Sequence, residues 1–375
     1  MGSGARLVGN QLRVARVALP TGIVGPHVIS IDAGLITKIE PIALAACELI
    51  DVTLCPGFID LQINGIDGVD VSTASGEDFA ALDAAILRQG TTSWCPTLVS
   101  SAIESYAKKF ERIGAAMARP AQLRPCIIGI HLEGPFLGGA LGAHDTKYGN
   151  SKNTDFVSRL PDFVKIMTVA PDNAVAAGAI GELIRRNIVV SIGHTRALDA
   201  QMLAAVDAGA TMITHLFNAM SEVHHRHDSV ALIALTDDRL ATGLIADLVH
   251  VSDRAIDLAF RAKPENVILV TDAIAHLGEL AKARGIEIVG GAPRLADGTL
   301  AGSTLRMNEA IRNCVRSGVS EHRAITAATK TPARILGLFD RGQIAVGARA
   351  DLVTLDGDFQ VRSTWVAGEM AFDGR

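Results

Sequence analysis

Eight times along the middle of this 375-residue chain, a short β-branched, apolar run is followed by a stretch with helical spacing of its apolar residues. The runs are Gly57–Ile63, Thr92–Leu98, Cys126–Leu132, Lys165–Ala170, Ile188–Gly193, Met212–Leu216, Thr242–Ala246 and Asn266–Thr271. Between them lie amphipathic stretches such as Glu77–Arg88, Ile103–Met117, Ala174–Arg186, Ala197–Ala208 and Ser252–Ala262. Strands that are apolar throughout, rather than alternating, belong in a parallel sheet covered on both faces. Eight β/α units therefore predict an α/β fold, a (β/α)₈ TIM barrel, over residues 56–340.

The two ends read differently. Leu12–Ala18, Val28–Asp32, Leu35–Glu40 and Glu48–Leu54 near the start, and Asp351–Leu355 and Thr364–Ala367 near the end, are strand-like pieces with turn residues between them. They are either two separate β tails or one small β-sandwich domain formed from both termini, residues 1–55 plus 341–375. The second is the better reading, because short strands bury a face only by pairing together.

In such a barrel the chemistry sits at the C-terminal ends of the strands, so the residue type that ends each run is diagnostic. The third run ends in His131-Leu132-Glu133, the fifth in Gly193-His194-Thr195, the sixth in Thr214-His215-Leu216 and the eighth in Thr271-Asp272-Ala273. A lone histidine at a strand end is usually a hydrogen-bonded rim residue. Two histidines and a glutamate at one rim, in a chain with 11 histidines, instead match the three nitrogen and oxygen ligands of a catalytic Zn²⁺. Asp272 is then left over as a base. The five cysteines are scattered without a C-x-x-C pair, which points to a reducing, cytoplasmic setting. With 35 basic against 40 acidic side chains and 4% aromatics, nothing favours nucleic acid, and no run of apolar residues is long enough to cross a membrane.

Pro56-Gly57-Phe58-Ile59-Asp60, HLEGPF at 131–136, Gly193-His194-Thr195, THLFNAM at 214–220, Thr271-Asp272-Ala273 and Ala350-Asp351-Leu352-Val353 occur in one order with consistent spacing. Together they resemble the N-acetylglucosamine-6-phosphate deacetylase family of the amidohydrolase superfamily. The resemblance implies that Glu133, His194 and His215 bind one divalent metal ion, Zn²⁺ with Fe²⁺ as the alternative, since two imidazoles and a carboxylate suit both. It implies that Asp272 is general base and acid and that His144 polarises the acetamide carbonyl. Ala143, His144, Asn218, Ala219, Ala301 and Gly302 match positions that contact the sugar, and Arg226 and His250 match a phosphate-binding pair, the arginine reaching across a homodimer interface. The implied reaction turns N-acetylglucosamine 6-phosphate into glucosamine 6-phosphate and acetate, in amino-sugar catabolism.

Two departures qualify the resemblance. Gln62 and Asn64 stand where two-metal amidohydrolases carry an H-x-H pair, so they are expected to bind water, line the site or simply pack. His227-Asp228-Ser229 replaces the usual Glu-Pro-Gly after the arginine, removing one φ-fixed and one φ-permissive residue. The alternatives are thus an N-acetylgalactosamine 6-phosphate or other N-acyl amine deacetylase and, in a different class, a noncatalytic interaction protein on the same scaffold. Asp247 reads equally as a cap of the following helix or as a residue that orients a ligand; His131 could support a ligand or a second metal but reads better as structural, and His276 and His322 read as surface residues.

Overall fold

The computed structural model describes residues 10–43, 50–120 and 123–374. Eight parallel barrel strands are present: β1 Phe58–Ile63, β2 Thr91–Val99, β3 Ile130–Glu133, β4 Val164–Val169, β5 Val189–Ile192, β6 Met212–Ile213, β7 Ala241–Leu244 and β8 Val267–Leu269. Each pairs in parallel with the next. All eight expected runs contain strands: the second extends one residue further at each end, the third is split into Cys126–Ile127 and Ile130–Glu133, and the last four stop one to three residues short of the expected end, where the chain turns away. Every residue of β1 is buried, as a strand covered on both faces requires.

No ladder joins β8 to β1. The gap is closed by the segment just beyond β8: Ala273 bridges to Ile63, Asp272 N–H donates to the Gln62 carbonyl at 2.9 Å, and Asn64 N–H donates to the Ala273 carbonyl at 2.8 Å. Below this closure the buried Asp60 carboxyl accepts from Gln62 N–H, Thr271 N–H and the Thr271 hydroxyl, at 3.1, 3.3 and 2.6 Å.

The helices turn their apolar stripes onto the strands. Asp78–Arg88 buries Phe79, Leu82, Ile86 and Leu87, and Asp253–Ala262 buries Ile256, Ala259 and Phe260. Ser252 caps the latter by accepting the Ala255 N–H, a cap worth about 1 kcal/mol. Asp247 therefore does not cap it, which corrects one half of that expectation.

The terminal strands form one eight-stranded sheet around a second core that includes Leu12, Val14, Ile29, Leu54, Leu352 and Trp365. Ile50–Pro56 lies at its centre, parallel to Gln11–Leu19 and antiparallel to Leu352–Leu355, so a single strand joins the two ends of the chain. This is the β-sandwich expected from both termini. The part of the Glu48–Leu54 run before Ile50 lies outside the described residues. His276 and His322 are half-buried rather than at the surface: His276 N–H donates to the Asp67 carbonyl, and His322 Nε2 lies 3.1 Å from the Leu19 carbonyl.

Candidate metal centre and active site

Glu133 is the last residue of β3, whereas His194 and His215 lie two residues beyond β5 and β6 and Asp272 three beyond β8. Those three have φ of 50°, 27° and 49°, in the left-handed region that costs non-glycine residues about 1–3 kcal/mol each. Three such residues at one rim mark a place where side-chain direction is maintained against backbone preference.

The four side chains converge. Glu133 Oε1 lies 3.1 Å from His194 Nε2 and 3.1 Å from His215 Nε2, and the two nitrogens are themselves 3.1 Å apart. His194 Nδ1 is 3.1 Å from both the Ala140 and Leu141 carbonyls; because a carbonyl only accepts, the proton sits on Nδ1 and Nε2 presents its lone pair. The triangle thus brings together three electron-pair donors, and a proton shared along one edge leaves the other two repulsive. A cation relieves all three. Zn–N and Zn–O bonds of about 2.0–2.1 Å place tetrahedral ligands roughly 3.3–3.4 Å apart, close to these edges. The donor set fits a divalent cation.

His144 also approaches. Its Nε2 is 3.8 Å from Glu133 Oε2, and one ligand atom each of Glu133, His144 and His194 lie within 4.8 Å of one another. His215 is nearer to the carboxylate, and His144 Nδ1 accepts the Ser100 N–H at 3.4 Å, which leaves the proton on Nε2. Burial, with His194 beside it, pushes the His144 imidazole down to about 3, so it is a neutral N–H donor at pH 7. Such a group suits a carbonyl oxygen better than a metal.

Gln62 Nε2 donates to Glu133 Oε1 and to Asp272 Oδ1, both at 3.0 Å, and Asn64 Nδ2 donates to Asp272 Oδ1 at 2.7 Å. Their amide oxygens, and His215 Nδ1, are buried without a protein partner. Burial and the neighbouring Glu133 carboxylate push the Asp272 carboxyl up from the ordinary aspartate range. Below the cluster, His131 Nδ1–H donates to the Leu61 carbonyl, so Nε2 accepts from Thr168, Thr168 from Thr214, and Thr214 from Ser191. Both His131 nitrogens are engaged, and burial pushes its imidazole down to about 4. It is a neutral floor residue, as expected.

The substrate-contact candidates divide. Gly302, φ 70°, lies against the Asp272 carbonyl, where a Cβ would come within 2.8 Å, and Ser303 N–H donates to that carbonyl; Ala301 is buried beside it. A Cβ at Gly142 would stand 3.6 Å from His194 and 3.7 Å from the Ala219 Cβ, so the 142–144 segment, with Ala143 exposed, lies over them. Asn218 Nδ2 donates to the Leu216 carbonyl at 3.2 Å. His250 Nδ1 is held by Asp247 Oδ2 at 2.7 Å, which makes Asp247 the residue that orients it. Arg226 is exposed, and among the described residues its guanidinium has no partner; neither it nor His250 bonds to the Glu133 cluster. Ser100 and Asp172 were not singled out in the sequence. Asp172 lies three residues beyond β4, directly after Ala170-Pro171, so its position after a strand is the available signal.

The sequence profile of the amidohydrolase family matches residues 53–371, and the chain belongs to that family. It is 39% identical over 344 residues to N-acetylglucosamine-6-phosphate deacetylase of Bos taurus, covering 85% of this chain and 83% of the relative. The N-acetylgalactosamine-6-phosphate deacetylase of Escherichia coli O157:H7 is 33% identical over 372 residues, 96% of this chain and 98% of the relative. The crystal structure of N-acetylglucosamine-6-phosphate deacetylase from Thermotoga maritima superposes with a TM-score of 0.89 at 30% identity, covering 97% of this chain and all of that one.

Proposed function

We propose that this chain hydrolyses the acetamide of N-acetylglucosamine 6-phosphate to glucosamine 6-phosphate and acetate. The observation that carries the reading is the convergence of Glu133, His194 and His215 with a fourth group, Asp272, at the mouth of a barrel that aligns along its length with deacetylases of this substrate. An intact acid–base group beside an intact donor triangle argues against a noncatalytic scaffold.

Glu133, His194 and His215 would hold one divalent cation, Zn²⁺ before Fe²⁺, and when bound it supplies Lewis-acid activation of water and of the amide carbonyl. Asp272 takes the proton from the attacking water. Gln62 and Asn64 fix its Oδ1, which leaves Oδ2 for that proton. As charge grows on the carbonyl oxygen, the neutral His144 Nε2–H donates to it. Asp272 then returns the proton to the leaving amine nitrogen, acting first as base and then as acid. Ala143, Asn218, Ala219, Ala301 and Gly302 line the sugar, and Arg226 and His250 read the phosphate. The unpartnered Arg226 guanidinium supports a homodimer in which it serves the neighbouring site. A cytoplasmic location and a division into barrel and sandwich at residues 56 and 340 complete the reading.

The 4-epimer, N-acetylgalactosamine 6-phosphate, is the second reading, favoured by the end-to-end match to the Escherichia coli enzyme. Acetate release from both phosphorylated epimers and from unphosphorylated N-acetylglucosamine, measured with metal content per chain, separates them. Preference for the phosphorylated gluco epimer with one metal supports the first reading. Preference for the galacto epimer replaces it with the second, and no acetate from any of the three removes both.

A further inference from the structure

Strand β4 brings no ligand to the barrel mouth: it ends at Val169, and Ala170-Pro171 leads on to Asp172 and Asn173. Asp172 Oδ2 accepts the Gly139 N–H at 2.9 Å and the Arg196 N–H at 3.2 Å, and Oδ1 accepts the Thr195 hydroxyl at 2.5 Å. Gly138 lies flat on the carboxylate: a Cβ there would be 1.9 Å from Asp172 Oδ1, and its own N–H donates to the His194 carbonyl. Asn173 Nδ2 donates to the Leu137 carbonyl and to Asn150 Oδ1, both at 3.0 Å. Between these two anchors runs the segment that supplies His144 and the Ala140 and Leu141 carbonyls on His194 Nδ1.

We propose that Asp172 is a positioning residue for the hydrolysis, tying the 138–144 segment to the His194 turn so that the carbonyl-polarising imidazole and one metal ligand keep a fixed relation. A carboxylate suits the task, because one oxygen takes two backbone N–H groups and the other a hydroxyl, while the bare backbone of Gly138 admits it. Asp172 touches none of the reacting atoms. It acts on His194 through Thr195 and the Ala140 and Leu141 carbonyls, and on His144 through Gly139. The inference rests on the proposed function above.

The test compares wild type, Asp172→Ala and Asp172→Asn by acetate release and, independently of any sugar, by Zn²⁺ affinity in competition with a chromophoric chelator. Residues that orient ligands in this way typically account for 10–100-fold in activity or metal affinity, so D172A should lose about that much kcat, with KM within about threefold, and bind Zn²⁺ about tenfold more weakly. D172N can present its oxygen to the two backbone N–H groups and its NH₂ to Thr195, so it should restore both quantities to within about fivefold. The proposal is overturned if folded D172A keeps kcat and Zn²⁺ affinity within about twofold of wild type, whatever its melting temperature. It is equally overturned if D172N is as impaired as D172A. Should wild type release no acetate, the proposed function fails, and the Zn²⁺ comparison alone still decides whether Asp172 holds His194.

Discussion

Asp60 offers a perturbation whose size follows from its surroundings. It is fully buried under the β1–β8 closure, and that burial pushes its carboxyl up to about 7, outweighing the hydrogen bonds from Thr271 and Gln62. The geometry admits the protonated form, in which Oδ2–H donates to Thr271 Oγ1 while Oδ1 still accepts both backbone N–H groups. Between roughly pH 4 and pH 7 the folded chain then holds a proton that the unfolded chain has released. Stability therefore falls as pH rises through that window, by about 4 kcal/mol in all at 1.36 kcal/mol per pKa unit, of which about 3 lies between pH 5 and pH 8. Asp60→Asn cannot ionise and keeps the contacts, its NH₂ donating to Thr271. Relative to wild type, the variant should gain about 3 kcal/mol between pH 5 and pH 8. Urea unfolding of the chelator-treated chain measures this. Trp94 and Trp365, both buried, report on the barrel and the terminal sheet, and coincidence of fluorescence with circular dichroism checks that one transition is being read. Parallel pH curves for the two proteins would refute the reasoning, because they would mean that Asp60 is ionised alike in both states.

Three further outcomes test the site. Asp272→Asn should keep its metal and lose about 10²–10⁴ in kcat, since it removes proton transfer and leaves the donor triangle intact; near-normal turnover at full metal content would take Asp272 out of the mechanism. His144→Asn should lower kcat by roughly 10²-fold with KM little changed, and a rise in KM alone would assign His144 to binding rather than to the carbonyl oxygen. Arg226→Ala should raise KM for the phosphorylated sugar by roughly 10–100-fold, the worth of about 1.5–3 kcal/mol for a charged hydrogen bond, and leave the unphosphorylated sugar nearly unaffected. Equal effects on the two sugars would mean that Arg226 does not read phosphate.

What the sequence made legible follows from locality. Continuous apolar runs such as Gly57–Ile63 and Thr92–Leu98 identify strands buried on both faces, and the run ends identify Glu133, His194, His215 and Asp272, because both signals reside in neighbouring residues. Short pieces such as Val230–Thr236, Gly278–Ala283 and Glu287–Val289 span too few residues for a periodicity to register. The left-handed φ of His194, His215 and Asp272 leaves no mark in composition, since glycine would serve the backbone better and only the chemistry needs the side chain. The tie from Asp172 to Gly139 spans 33 residues and the bond from Gln62 to Asp272 spans 210, distances at which only the closed barrel brings partners together. Asp247 shows the limit within a single motif: the spacing fits a helix cap, yet the carboxylate is already committed to His250, three residues on.

The closure of the barrel also bears on how many cations the mouth would hold. Thr271, Asp272 and Ala273 lie beside Gln62, Ile63 and Asn64 because the eighth strand must seal against the first, so Asp272 and the two amides reach their places through the same backbone hydrogen bonds. Once there, Gln62 and Asn64 face two carboxylates, and a carboxylate accepts but never donates. Both amides must therefore turn their NH₂ groups inward, toward Glu133 and Asp272, at 2.7–3.0 Å. A group presenting N–H repels a cation, and the amide oxygens that could attract one point elsewhere, buried and without a protein partner. Replacing imidazoles by amides at these positions thus does more than remove two ligands: it fills the second cation position with hydrogen-bond donors that fix Asp272. This supports the proposed single cation on the Glu133 side, with Asp272 free to move protons.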